Sequence, residues 1–206
     1  MARDRSPIVK QSRREGFALH IKAHKVMAKK VGMPGVHPQG GRRNKPSTYS
    51  LQLREKQKVR RLYGLLEKQF ARTMKEASRS RGQSGQVLLE LLERRLDNVV
   101  YRAGWATSRR AARQLVNHGH FILNGGRVDI PSLRVKTGDV ITIREANAKN
   151  LYFAKLSDIV KDTNMPQLSW LKSDPSKKTI TVTGQPQRTE ADLEIKEQLI
   201  VEYYSR

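Results

Sequence analysis

Residues 107–128, TSRRAARQLVNHGHFILNGGRV, place Arg109, Arg110 and Arg113 close together with no acid four positions on to pair with any of them. A guanidinium is a permanently charged planar fork that grips phosphate oxygens two at a time. A rotation of about 100° per residue turns Ala111, Ala112 and Leu115 to one side of a helix and leaves the three arginines on an outward arc. Ser108 is placed to cap this helix and Gly119 to end it. FILNGGRVD then reads as strand, Asn-Gly turn, strand, with Asn117, His118, Arg127 and Arg134 on or beside the hairpin. Folded RNA is recognised by shape and phosphate contact more than by base edges, and a rigid helix with a hairpin beside it suits that task. Arg109, Arg110, Arg113, His118, Arg127 and Arg134 form the first candidate RNA-binding set.

The rest of the chain supplies more charge. Its 206 residues carry 41 Lys+Arg against 19 Asp+Glu, a net charge of +22. A field of that size repels itself in a compact state unless a polyanion neutralises it. The excess falls along the chain. Residues 1–46 hold twelve basic and two acidic groups, 47–85 ten and three, 86–148 ten and six, and 149–206 nine and eight. The first half therefore faces nucleic acid, and the nearly balanced last quarter suits protein contact. No run approaches the roughly 20 apolar residues of a spanning helix, and MARDRSPIVK holds no apolar signal core, so no membrane role is expected. The absence of cysteine excludes disulfides and thiolate metal sites, which suits a reducing compartment.

The elements that must position these groups follow from periodicity. Residues 1–46 include GMPGVHPQGGRRNKP and are expected to be a basic arm of extended chain, fixed by its partner, with short helices over Pro7 to Glu15 and Leu19 to Lys30. Arg13, Arg14, Arg42, Arg43 and Lys45 are its candidate RNA contacts. Helical spacing runs from Ser50 to Ser80, with Val59, Leu62, Leu66, Phe70 and Met74 inward. Arg54, Lys56, Lys58, Arg60 and Arg61 on this stretch are expected to form a second basic helix against RNA. From Ser84, Leu88, Leu92, Leu96 and Val99 predict one helix of about five turns that stops at Gly104. RVKTGDVITIRE and KKTITVTG add strands, and EIKEQLIVEYYSR a terminal helix or strand.

Other groups support weaker chemistry. His20 and His24 stand at i and i+4 but lack a third ligand, so no metal site is expected. His120 serves packing as readily as RNA. NGG at 124–126 lacks the setting of a phosphate loop and reads as a turn. Tyr203 and Tyr204 suit packing better than base stacking, because their surroundings are nearly neutral. No nucleophile-base-acid arrangement emerges. Asp97 reads as a helix-surface partner of Arg94 or Arg95, and neither catalysis nor a cofactor is expected.

TSRRAARQLVNHGHFILNGGRVDIPSLRVKTGDVITI resembles the alpha-L RNA-binding motif of several RNA-handling families. LQLREKQKVRRLYGLLEKQF, LLELLERRLDNVVYRAG and EQLIVEYYSR narrow the resemblance to the family of the fourth protein of the bacterial or organellar small ribosomal subunit, from SRREG at 12 to Arg206. It implies an α+β chain in three parts: a basic arm, 1–46; a mainly helical domain, 47–93 plus 149–206; and an inserted alpha-L module, 94–148. It also implies a primary binder of small-subunit ribosomal RNA that seats on a multi-helix junction and nucleates assembly of the subunit body. Contacts with neighbouring ribosomal proteins, an effect on translational accuracy, and a position near the mRNA entrance, where Arg42, Arg43 and Lys45 would lie, are implied as well. The setting would be a ribosome of the cytoplasm or of an organelle. Many family members carry a Cys-x-x-Cys pair of a zinc site where this chain has Val9 and Ser12, so that site is absent. The family's Pro-Gly-x-His-Gly stretch is altered to Pro34, Gly35, Val36, His37, Pro38. The rival is a stand-alone alpha-L factor for ribosome rescue or RNA modification, which would leave residues 1–85 without a role.

Overall fold

The computed structural model describes residues 4, 6–30, 32–35, 46–148, 150–163, 165–192 and 194–205. The chain divides into two compact units, residues 1–87 with 194–206, and residues 88–193.

The first unit is helical. Its elements are α1 (Ile8–Glu15), α2 (Ile21–Lys29), α3 (Thr48–Leu62) and α4 (Glu67–Arg79), the start of α5 (Ser84–Glu93), and α11 (Glu197–Tyr204). His20 caps α2, its Nδ1 accepting from the Lys22 N–H at 3.0 Å. Ser47 caps α3 in the same way. The periodicity predicted over 50–80 is present but broken: Gly64, at φ +65, separates α3 from α4, and Leu65 rather than Leu66 is buried. The buried apolar residues include Val59, Leu62, Phe70, Met74, Ala77 and Ile200. In the arm, the two short helices expected over Pro7 to Glu15 and Leu19 to Lys30 form as α1 and α2, while most of its Gly/Pro-rich stretch lies outside the described residues. Leu19 and Ala23 are buried, and the fully buried Ser12 donates to the Ile8 carbonyl while accepting from the Leu19 N–H. Those bonds tie α1 to the turn that follows it.

The second unit combines α6 (Leu96–Arg102) and α7 (Arg109–Asn117) with β1 (Phe121–Leu123), β2 (Gly126–Val128), β3 (Val140–Ile143), α8 (Glu145–Ala148), α9 (Leu151–Ala154), α10 (Leu156–Thr163), β4 (Leu171–Asp174) and β5 (Thr179–Val182). The strands form one antiparallel sheet in the order β2-β1-β3-β5-β4. Asn124 and Gly125, both at positive φ, make the two-residue turn that the Asn-Gly pair demands. One cluster of buried residues, including Trp105, Phe121, Ile141, Phe153 and Trp170, underlies the sheet and helices.

One expectation changes here. The predicted five-turn helix is two helices: the Leu96 N–H donates to the Leu133 carbonyl, and Arg95 bridges to Arg134, so α5 ends before α6 begins. The compact unit that holds residues 94–148 runs beyond them. β5 pairs with β3, placing Ile180 opposite Ile141, and this carries the compact unit through residue 193. The α+β class holds, with helices in both units and one small sheet among the described residues.

Candidate nucleic-acid interface

In the second unit the arginines are organised by buried or half-buried acids, some of them far away in sequence. Ser108 caps α7, its hydroxyl accepting from the Ala111 N–H at 3.2 Å. The buried face of the helix is Ala112, Arg113 and Val116, with Ala111 and Leu115 only half-buried. This corrects the expected outward arc. Arg113 is buried, and its Nη1 lies 3.6 Å from Asp97 Oδ2. Asp97 itself is buried rather than on a helix surface. Arg95 holds both of its oxygens, at 3.0 and 2.8 Å, and the Asn98 N–H donates to it as well.

A second buried acid, Glu93, takes both prongs of Arg102 at 3.0 and 2.8 Å and the Asn98 amide at 2.7 Å. The Asn98 side-chain oxygen Oδ1 then accepts from Arg109 Nε at 2.9 Å. Arg109 stacks 4.6 Å over the Tyr101 ring and stands 3.6 Å from Asp192. Arginine is suited to such a cage because its five donors are fixed in one plane. Among the three α7 arginines only Arg110 is exposed. Sequence reasoning missed Glu93, Asn98, Tyr101 and Asp192. The Glu-Arg-Arg-x-Asp-Asn run at 93–98 hinted at the first two, whereas nothing local points to Asp192.

Beyond the C-terminus of α7, Gly119 adopts φ +67, and its N–H donates to the Val116 carbonyl at 2.8 Å. A Cβ built there would stand 2.8 Å from Arg127 Nη2 and 2.9 Å from its Nε, so the Arg127 guanidinium lies directly against this glycine. His118 and Arg127 are exposed and Arg134 half-buried. The His118 and His120 rings meet edge-on at 5.8 Å, and His120 meets Phe153 at 5.4 Å. Burial lowers the His120 pKa and the His118 ring lowers it further, against a hydrogen bond with Asn147. Arg110, His118 and Arg127 are thus the members of the candidate set that this unit presents to solvent.

In the first unit, the second basic helix is not an open platform. Arg54 and Arg61 both reach Glu15 Oε1, the former at 3.2 Å, and the Glu15 side chain is wholly covered. Burial raises the Glu15 pKa against the pull of Arg54 and Arg61, and burial lowers that of Arg61. Lys56 is buried, 2.7 Å from Glu67 Oε1 and 4.5 Å above the Tyr203 ring. Arg60 lies 3.8 Å from the same carboxylate, and Lys58 lies 2.9 Å from Glu55 while donating to the Glu194 carbonyl. Burial would raise the Glu67 pKa, but hydrogen bonds from Lys56 and Tyr204 outweigh it and hold the carboxyl below its usual range. Each of the five expected RNA contacts therefore faces an acid. Arg14 is exposed, and Arg13 is half-buried with Nη2 3.5 Å from the Met33 carbonyl. Arg42, Arg43 and Lys45, like the altered stretch at 36–38, lie outside the described residues. Among the described residues no three metal-ligating side chains gather, and no helix is long and apolar enough to cross a membrane.

The comparisons with known proteins bear on the whole chain. Residues 3–93 match the model of the ribosomal protein S4/S9 N-terminal domain, and residues 94–141 match that of the S4 domain. The first match covers most of the stretch that a stand-alone alpha-L factor would leave unused, and nothing supports that rival. The chain is 49% identical, over the full length of both, to the small ribosomal subunit protein uS4 of Herpetosiphon aurantiacus. It is 48% identical to that of Clostridioides difficile and 47% to that of Syntrophomonas wolfei subsp. wolfei, again over all of each chain. Identity at that level from end to end means that this chain belongs to the family of small ribosomal subunit protein uS4.

Proposed function

We propose that this chain is a structural, non-catalytic constituent of the small ribosomal subunit, bound to its ribosomal RNA and to neighbouring ribosomal proteins. The full-length likeness to proteins of that name carries the reading. The geometry supports it: Arg110, His118 and Arg127 lie on one helix-and-hairpin module whose fold is locked by buried ion pairs. Recognition by a preformed surface loses little entropy on binding, as a primary binder of folded RNA requires. On this reading the chain seats early on a multi-helix junction, nucleates assembly of the subunit body and influences translational accuracy near the mRNA entrance. Arg42, Arg43 and Lys45 would contact mRNA there, in a cytoplasmic ribosome.

Chemical footprinting of the chain on free small-subunit RNA tests the proposal. Protection confined to one junction, without other proteins present, is the expected result, together with retention on small subunits through a high-salt wash. Diffuse protection, or loss from the subunit in the wash, would identify a transient factor instead.

A further inference from the structure

The cations of α3 face acids, but those of α4 do not. Lys68, Arg72, Lys75 and Arg79 fall at i, i+4, i+7 and i+11 of one helix. At about 100° per residue all four lie within an arc of roughly 60°, and at 1.5 Å per residue the row runs for about 16 Å. The opposite face of α4 is Phe70, Met74 and Ala77, all buried, which fixes the rotation of the helix and turns the row outward. All four side chains are exposed, and none makes an ion pair among the described residues. Of the two acids on α4, Glu67 is turned aside to Lys56 and Tyr204, and Glu76 lies to the flank of the row.

Like charges one turn apart destabilise a helix, and water alone gives no reason to align four of them. Arg79 also complements the negative end of the helix; the other three have no such role. A straight row of cations, one turn apart on a rigid rod, fits a polyanion that runs alongside it. We propose that this face of α4, rather than α3, is the surface by which the first unit binds an RNA backbone. It would hold successive phosphates along one strand, with charge and spacing as its recognition and no reading of bases. The inference rests on the ribosomal-RNA reading above and names the surface that serves it.

The experiment uses the full chain and free small-subunit RNA. In one variant Lys68, Arg72, Lys75 and Arg79 are all changed to Gln. In a control variant four other exposed cations, Lys155, Lys161, Lys172 and Lys177, are changed to Gln. Removing four phosphate contacts should flatten the log-log salt dependence of binding by about 3 and weaken binding by two to three decades near 0.1 M salt. The control should change both far less. In the unmodified chain, bound RNA should shield the Lys68 and Lys75 amines from acetylation while Lys172 and Lys177 stay reactive, a readout independent of any variant's folding. Equal losses in the two variants would reduce the effect to net charge and overturn the inference. So would wild-type slope in the α4 variant with Lys68 and Lys75 reactive, the outcome expected if this face is solvated or docks a protein. Failure of the unmodified chain to bind the RNA at all would instead sink the functional reading, and this inference with it.

Discussion

Arg113 carries its charge inward, and its substitution tests the second unit's interior rather than its RNA surface. The sequence pattern puts Arg113 beside Arg109 on an outward arc, where Arg113→Ala would cost only RNA affinity. The structure reverses this, because Arg113 shares the buried Asp97 with Arg95. Arg113→Ala should destabilise the chain by about 1–3 kcal/mol, less than for an abandoned buried charge because Arg95 still holds the acid. Arg110→Ala should stay within about 0.5 kcal/mol of wild type. Urea unfolding of both checks the pair, and equal effects would mean that Asp97 does not need Arg113. His120 gives a second residue-scale test. Its folded pKa is depressed, so as pH falls through the ordinary imidazole range the unfolded chain takes up a proton before the folded chain does. Stability should therefore decline from neutral toward acid pH. The slope should be well below the roughly 1.4 kcal/mol per pH unit of a full proton, because the ring is half-buried and water screens it. His120→Gln should flatten that limb of a pH series of unfolding curves; an unchanged slope would assign the decline to other groups. Residue types were legible in the sequence, but their partners were not. A search for acids one helical turn away cannot find Asp97, sixteen residues upstream of Arg113, or Asp192, far downstream of Arg109.

Helices and hairpins were read better than the joints between them. The Asn-Gly turn, the Ser108 cap and the Gly119 stop are local chemistry and stand where the pattern put them. The break between α5 and α6 was hidden because the leucine spacing continues through it. It is made by a bond from Leu96 to Leu133, a long-range contact with no local signature. The joint at Gly119 allows a controlled test. Gly16, which ends α1 at φ +66, has nothing within 4 Å of where a Cβ would stand, whereas at Gly119 that position is taken by Arg127. Gly16→Ala and Gly119→Ala should each cost about 1–2 kcal/mol for a left-handed alanine. Only the second also displaces the Arg127 fork, so it should lower RNA affinity by roughly the loss of one charge-assisted contact, about tenfold or more. In an Arg127→Ala background the Gly119 effect on affinity should vanish. If it persists, the glycine acts through the backbone alone.

At the scale of the whole molecule, composition was the most informative signal, because a net charge of +22 demands a polyanion whatever the fold. With about ten phosphate contacts, the logarithm of RNA affinity should fall against the logarithm of salt with a slope of roughly −7 to −9. A filter-binding titration across salt would measure it, and a slope near −2 would mean that most cations face water. Charge counting could not say which cations are already neutralised. That required seeing Glu15 and Glu67 turned to the cations of α3, beside that helix's own Glu55, leaving α4 uncovered.

The seat of α11 on α3 sets an order of events during synthesis. Gln52 of α3 donates to Glu202 of α11 across 150 positions of chain, and Lys196 binds Glu55 through its backbone N–H. A ribosome translating this message releases residues 48–62 long before residues 197–204 exist. Through that interval the α3 face awaiting Ile200 and Tyr203 has no cover, while every module encoded between them emerges. The half of the protein made first is therefore among the last to be finished. A released chain truncated at residue 190 would hold every strand of its sheet and leave its opening helices open to chaperones and proteases.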